Sequence, residues 1–222
     1  MIVSTVSIEN EGRGEDSGAG AGIRVAAPSR EQAMKIIASI GDAFDGQFAL
    51  RLKASARALG LECELFDRTP RGRDRTRLNA LIRGLSDHRG EDLLYVDPDA
   101  HLLRRPDILL DERDFDVGVY YDSKTLDLSG PIFVRGNSRG ACLLGEWSAL
   151  NATLPDSPEM DNLSRVLSRP GLRLDVRRFP VTYAWVERQH RPVHPKAQPV
   201  IVHFKTDGLM TGRLTVPKSR HG

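Results

Sequence analysis

The most constraining feature of this 222-residue chain is the short apolar run LLYV, residues 93–96, which stops abruptly at Asp97, Pro98 and Asp99. A continuous apolar run of this length is typical of a strand that is buried on both faces of a sheet. Carboxylates directly after such a strand lie at its carboxyl end, where open α/β sheets bind ligands. Because two adjacent carboxylates are costly to bury without a counter-charge, the pattern predicts a divalent cation with oxygen ligands.

The first part of the chain alternates between extended and helical patterns. Residues 2–8 are β-branched and predict a strand, and residues 9–22, rich in glycine and polar side chains, predict a flexible loop. Ser29 and Gln32 have the spacing of a capping box, so the segment AMKIIASI after them is predicted to be helical.

The remaining segments are assigned by the same periodicities. Apolar residues at helical spacing predict helices over residues 44–59 and 74–88, with the strand ECELF between them. Beyond LLYV, two helices are predicted over residues 137–154 and 158–168. The segments predicted to be extended there are FDVGVYY, SGPIFVRG, RLDVRRF, PVTYAW and PVIVHF.

This order of elements predicts a fold class and a domain organisation. Regular β/α alternation followed by less regular strands indicates an α/β fold, with a mixed central sheet flanked by helices. The length suits a single domain over residues 1–222, in which 9–22 is a loop and 211–222 is a basic tail.

Charge and hydropathy narrow the classes of partner. The net charge is only +2, so no overall field drives the protein onto nucleic acid or an anionic membrane, although arginines are concentrated within residues 68–77 and 169–191. No apolar run approaches the roughly 20 residues that span a bilayer. Because residues 1–12 also lack the features of a secretion signal, we expect a cytoplasmic protein.

Three further groups of residues could carry chemistry. The pair Ser129–Gly130 lets backbone approach a ligand closely, or simply forms a tight turn before Pro131. Glu159 and Asp161 open a predicted helix, where acids either complement the helix dipole or act as a base. Arg77 could bind a phosphate through two parallel hydrogen bonds, or belong to a solvated arginine surface.

Four segments together resemble one family. LLYVDPDAHLLRRPDIL resembles the Asp-x-Asp region of GT-A nucleotide-sugar glycosyltransferases, in which an apolar strand ends in two acids. Three more pieces follow that family's order: FALRLKASARALGL, LSGPIFVRGNSRGACLLGEW and PVIVHFKTDG. The resemblance covers about residues 44–210 and implies a GT-A, Rossmann-like domain.

The resemblance also implies a metal and donor site. Asp99 is expected to be the principal metal carboxylate, and Asp97 to share the metal or contact the donor ribose. His203 would complete the metal ligands, and Lys205 would neutralise the diphosphate. The implied cofactor is Mn²⁺ or Mg²⁺, since histidine suits manganese and similar borderline ions.

The remaining roles are implied in the same way. Arg77, Ser129 and Gly130 would line the donor site, and Thr5, at the end of the predicted first strand, would touch the nucleotide base. Asp161 or Glu159 would bind a hydroxyl or act as the base. The implied reaction is hexosyl transfer from a nucleotide-diphosphate sugar, with a UDP-sugar expected first, to a glycan, a protein, a small molecule or modified DNA.

Three other functions stay open from the sequence. The same acids and metal could serve a nucleotidyltransferase or a phosphohydrolase. The arginine-rich stretches could instead form a nucleic-acid-binding module, or combine with sugar transfer to a modified base in DNA. A catalytically silent relative is the last alternative. The sequence indicates neither the oligomeric state nor retention or inversion at the sugar.

Overall fold

A computed structural model describes residues 34–41, 43–67, 76–112, 114–122 and 127–204. The described residues belong to one compact unit. The predictions for residues 2–8, for the loop 9–22, for the cap at Ser29 and for the tail 211–222 lie outside the described residues. The assignment of the whole chain to one domain therefore stays a prediction.

The fold is a mixed α/β architecture with a six-stranded central sheet, as the sequence predicts. The order across this sheet is β2–β1–β3–β6–β5–β7. Its strands are β1 (Met34–Ile40), β2 (Glu62–Asp67), β3 (Asp92–Tyr95), β5 (Val117–Tyr121), β6 (Leu128–Val134) and β7 (Val176–Arg178). Strand β1 is parallel to β2 and β3, whereas β6 is antiparallel to both β3 and β5.

A second, two-stranded sheet lies outside the central one. It consists of β4 (Ala100–Leu102) and β8 (Ile201–His203), which run antiparallel. The sequence pattern predicts β8 as a late strand but gives no signal for β4, which is only three residues long. Strand β4 of this small sheet begins at Ala100, directly after Asp99.

Helices cover both faces of the central sheet. They are α1 (Ala43–Ala58), α2 (Thr76–Asp87), α3 (Asp107–Asp111), α4 (Ser138–Thr153), α5 (Glu159–Leu167) and α6 (Glu187–His190). Neighbouring strand residues alternate between two buried clusters: Ile36 and Leu94 pack with Leu52 of α1, whereas Ile37 and Leu93 pack with helices α2, α4 and α5. None of the described helices is long and apolar enough to span a bilayer.

The prediction of a helix over AMKIIASI is wrong, because residues 34–40 form the central strand β1. Ile36, Ile37 and Ala38 are all fully buried, so both faces of the strand are apolar. A run that is apolar on both faces shows no alternation, and periodicity alone does not distinguish it from a buried helix. The segment PVTYAW also differs from prediction, since Val181–Tyr183 form a short 3-10 turn.

Candidate functional site

The two carboxylates after β3 are held by a tight turn. The backbone N–H of Ala100 donates to the Asp97 carbonyl at 2.9 Å, closing a turn in which Pro98 occupies the second position. Proline presets the backbone angle that this position requires. The side chains of Asp97 and Asp99 are 24% and 25% exposed, so both reach solvent at the edge of the core.

The small β4–β8 sheet brings His203 to these acids. Ala100 pairs with His203, and the backbone N–H of Phe204 donates to the Asp99 carbonyl at 3.2 Å. The His203 Nδ1 atom lies 3.7 Å from Asp99 Oδ1. The predicted metal ligands Asp97, Asp99 and His203 therefore meet, with one ligand atom of each within 4.8 Å of the others.

This group fits a divalent cation. The His203 side chain is only 7% exposed, and its Nε2 atom has no hydrogen-bond partner among the described residues. A buried nitrogen without a partner is costly, and a metal ion removes that cost. Two carboxylate oxygens with one imidazole nitrogen form a donor set suited to Mn²⁺ and related ions.

Arg77, which the resemblance assigns to the donor site, lies next to Asp97. Its Nη2 atom lies 2.9 Å from Asp97 Oδ1, and its guanidinium stands over the Tyr95 ring at 5.9 Å. Burial acts against the charge of Arg77, but Asp97, Tyr95 and Glu159 outweigh it and hold its pKa above the ordinary value. The positively charged guanidinium of Arg77 is therefore fixed beside Asp97.

Glu159 lies behind Arg77 in a buried position. Its Oε1 atom accepts the backbone N–H of Leu78 at 2.9 Å, so it caps the first turn of α2, and its Oε2 atom is 3.9 Å from Arg77 Nη1. Burial raises the pKa of Glu159, although these donors oppose the shift. Asp161 is exposed on the first turn of α5 and, within the described part of the chain, is not one of the cleft-lining residues.

Ser129 and Gly130 lie on β6 and line the same cleft as the acids. Gly130 has a φ of +72°, which side-chain-bearing residues rarely adopt. A Cβ at this position would lie 3.0 Å from the Ala184 Cβ and 3.7 Å from His203 Nε2. Glycine at 130 therefore keeps the space beside the unpartnered histidine nitrogen open.

Several residues of the cleft were not predicted. Tyr120 near the carboxyl end of β5 and Asp122 just beyond that end line the cleft, as do Gln189 and His190 in α6. Asp122 follows the predicted strand FDVGVYY just as Asp97 follows LLYV, so its position at the end of a strand is a sequence signal for the cleft. No sequence signal indicates Gln189 or His190, because α6 has only four residues. Lys205 and Thr5 lie outside the described residues.

Comparisons with known proteins identify the family of this chain. The family model for nucleotide-diphospho-sugar transferases matches residues 80–212, which is more than half of the chain. That range contains Asp97, Asp99 and His203. Among curated proteins, none matches the chain in sequence.

Solved structures show the same fold at low sequence identity. A glycosyltransferase involved in glycosylation of the major capsid of PBCV-1 has a TM-score of 0.63 at 12% identity, over 78% of this chain and 93% of that one. The apo glycosyltransferase GlyE of Streptococcus pneumoniae TIGR4 has a TM-score of 0.59 at 9% identity, over 83% and 57%. The apo bifunctional glycosyltransferase WbbM has a TM-score of 0.54 at 10% identity, over 81% and 47%.

The fold is that of the GT-A glycosyltransferases, as the resemblance implied, and the match over residues 80–212 fixes the family. The chain belongs to the nucleotide-diphospho-sugar transferases.

Proposed function

We propose that this transferase moves a hexosyl group from a nucleotide-diphosphate sugar, first of all a UDP-sugar, to an acceptor in a metal-dependent reaction. The observation that carries the proposal is the Asp97–Asp99–His203 group, whose buried Nε2 atom has no partner among the described residues. Family membership supports sugar transfer over nucleotidyl transfer, phosphate hydrolysis or simple nucleic-acid binding.

The donor diphosphate is expected to bind at this group. Mn²⁺ or Mg²⁺ held by Asp97, Asp99 and His203 would stabilise the charge of the leaving nucleoside diphosphate. Arg77 would add a fixed positive charge at the same edge, and Gly130 would leave room for close approach of the donor. The roles of Lys205 at the diphosphate, Thr5 at the base and Ser129 at the sugar stay predictions.

The base of the reaction also stays a prediction. Glu159 is buried, and its Oε1 atom is engaged by the first turn of α2, which supports a role in holding Arg77 beside Asp97. Asp161 is exposed and would act only on an acceptor bound from the solvent side. The placement in the cytoplasm stays a prediction as well.

The proposal is tested by calorimetric titration of UDP and other nucleoside diphosphates, with and without MnCl₂ or MgCl₂. We expect the wild type to bind the nucleotide only with metal. Asp99→Ala should weaken nucleotide binding by at least roughly 100-fold, because removing a residue that merely supports a metal ligand already costs up to about that much in metal affinity. Asp107→Ala removes an exposed carboxylate on α3, which is not among the described residues that line the cleft, and should bind like the wild type.

Two results would contradict the proposal. Binding that does not need metal, or that survives in Asp99→Ala, would mean that the acid–histidine group does not hold the donor. Absence of nucleotide binding to the wild type under all metal conditions would mean that the chain has the fold without the donor site.

A further inference from the structure

Helix α1 exposes a face that combines cations with a leucine. At 3.6 residues per turn, the buried side chains of the helix share one side: Phe48, Ala49, Leu52, Ser55 and Ala56. The opposite, exposed side carries Leu50, Arg51, Lys53, Ala54 and Arg57. Leu50 lies near the centre of that side and is 66% exposed. Residues 46–58 contain no acid, so the charge of this face is entirely positive.

The chain just beyond β4 extends this face. Helix α1 packs on β4, and the backbone N–H of Leu102 donates to Ser55 Oγ at 3.1 Å. Burial and the positive charge of Arg51 lower the pKa of His101 in β4, which indicates that Arg51 lies on the side of the helix that borders this strand. The next residue after β4, Leu103, is 46% exposed. We define the basic leucine patch as Leu50, Arg51, Lys53, Arg57, Leu103 and Arg104.

The fold does not neutralise the cations of this patch. Within the described part of the chain, no carboxylate lies at ion-pair distance from any of its four basic side chains. The next residue along the chain, Arg105, lies 3.7 Å from Asp107 and is left out of the patch for that reason. A surface that concentrates unpaired charges of one sign attracts a partner of the opposite sign. The patch therefore suits an anionic partner.

The two leucines decide which anionic partner fits. Double-stranded nucleic acid takes up cations at its phosphates, but it accepts an apolar side chain only as a wedge between base steps. An anionic bilayer offers headgroup phosphates to the cations and an apolar layer beneath them to the leucines. Leu50 on a helix face and Leu103 on a neighbouring loop, both set among basic residues, suit such a broad surface.

We propose that the basic leucine patch docks the protein on an anionic phospholipid bilayer, with its cations at the headgroups and Leu50 and Leu103 in the interfacial layer. The net charge of +2 does not reveal this surface, because it sums over the whole chain while these cations are concentrated on one face. A peripheral contact of this kind needs no membrane-spanning helix. The patch lies outside the residues that line the described cleft, so this inference does not rest on the proposed function.

The test is co-sedimentation of the full chain with vesicles of phosphatidylcholine mixed with phosphatidylglycerol, against vesicles of phosphatidylcholine alone. We expect binding to the anionic vesicles only, weakening as the salt concentration rises. Arg57→Glu should weaken this binding by at least about 5-fold, the contribution of one basic side chain near an anionic surface. Leu50→Ser should also weaken it by at least about 5-fold, because an apolar side chain no longer enters the interface.

The matched controls lie on the other side of the central sheet. Arg165→Glu reverses an exposed arginine on α5, and Ile82→Ser replaces a 40% exposed apolar side chain on α2. Both helices pack on the face of the sheet opposite to α1. These two variants should bind vesicles within twofold of the wild type, and thermal melts should confirm that all four variants fold.

The other outcomes overturn the inference. No binding to anionic vesicles at low salt would exclude the docking surface. Binding that neither Arg57→Glu nor Leu50→Ser weakens would place the contact elsewhere in the chain, and equal losses in the controls would mean unspecific attraction. A loss in Arg57→Glu without one in Leu50→Ser would exclude insertion of the leucine. Fluorescence polarisation with duplex DNA completes the test, since DNA binding that Arg57→Glu weakens, without vesicle binding, would make the patch a nucleic-acid surface.

Discussion

The two ends of strand β3 carry aspartates in opposite circumstances. At its start, Asp92 is 3% exposed and accepts from Arg135 Nη1 at 3.1 Å and from the Gly136 N–H at 2.9 Å. Beyond its end, Asp99 is a quarter exposed and faces His203 at 3.7 Å, which is too long for a hydrogen bond. The first carboxylate is satisfied by donors of the fold, whereas the second is partly open to solvent and only loosely paired.

This difference separates acids that the fold already satisfies from acids that stay available to a ligand. Residue type and position beside a buried strand are the same at both ends. What differs is whether the surrounding donors already satisfy the carboxylate. Substitution of a satisfied acid should lower the free energy of unfolding and leave ligand binding unchanged. Substitution of an unsatisfied acid should weaken ligand binding and leave the free energy of unfolding nearly unchanged.

The largest expected effect is on Asp92. Asp92→Asn keeps an oxygen for the Gly136 N–H but leaves the buried Arg135 without its counter-charge, so we expect a loss of about 3–5 kcal/mol in the free energy of unfolding. The matched variant Asp99→Asn should change stability by less than about 1 kcal/mol, because its partner is not closely paired. Urea denaturation measures both, and equal losses would abolish the distinction between the two ends.

The glycines beside the two acids give a second, smaller contrast. Gly136→Ala would place a Cβ 2.2 Å from the Glu91 carbonyl oxygen, a backbone atom that no rotamer change can move. We expect a loss of about 3 kcal/mol, at the upper end of typical overpacking. Gly130→Ala meets mainly the Ala184 side chain and a φ of +72°, so about 1–2 kcal/mol is expected, together with weaker Mn²⁺ binding beside His203.

Gly145→Ala is the control for both glycines. Gly145 is exposed within α4, and a Cβ there would meet nothing within 4 Å. Alanine should therefore stabilise the helix by up to about 1 kcal/mol. If Gly136→Ala did not lower the free energy of unfolding either, close packing at Gly136 would not be what holds its N–H against Asp92.

The smallest expected effect concerns Glu159, which lies between the two extremes. One of its oxygens accepts from Leu78, and the other has no hydrogen-bond partner among the described residues. Because burial raises its pKa above 4.5, the folded protein binds this proton more tightly than the unfolded chain. The stability of the wild type relative to Glu159→Gln should be greatest below about pH 4.5 and fall as the pH rises through the folded pKa.

The change should amount to about 1.4 kcal/mol for each unit by which the folded pKa exceeds the ordinary one. Urea denaturation of both proteins at a series of pH values measures it. A difference that grows in the opposite direction would show that Glu159 is as well satisfied as Asp92.

The sequence predicted the parts of the molecule that depend on neighbours along the chain. Helix α1 buries Phe48, Leu52 and Ala56 at helical spacing, and the run LLYV before two acids indicates the strand β3. The prediction of a helix at β1 is wrong because burial on both faces removes the alternation of apolar and polar residues that distinguishes a strand from a helix. Pairing of β4 with β8 was not predicted, and His203 was assigned through the resemblance alone.

The rest of the site depends on contacts between distant segments. Glu159 caps α2 from eighty-one residues away, and nothing near either residue indicates that pairing. Gln189 and His190 reach the cleft because Arg191 and Glu187 fix a four-residue helix that has no periodicity to detect. Such positions follow from packing and not from local pattern.

The three-residue pairing of β4 with β8 has a consequence for how the site forms and fails. Asp99 and His203 are about a hundred residues apart, so a nascent chain on the ribosome cannot bring these two side chains together until β8 has emerged. Because this ladder has only three residue pairs, we expect it to open more easily than the six-stranded sheet. If the group binds a metal as proposed, loss of that metal would then be an early sign of this local opening, well before global unfolding.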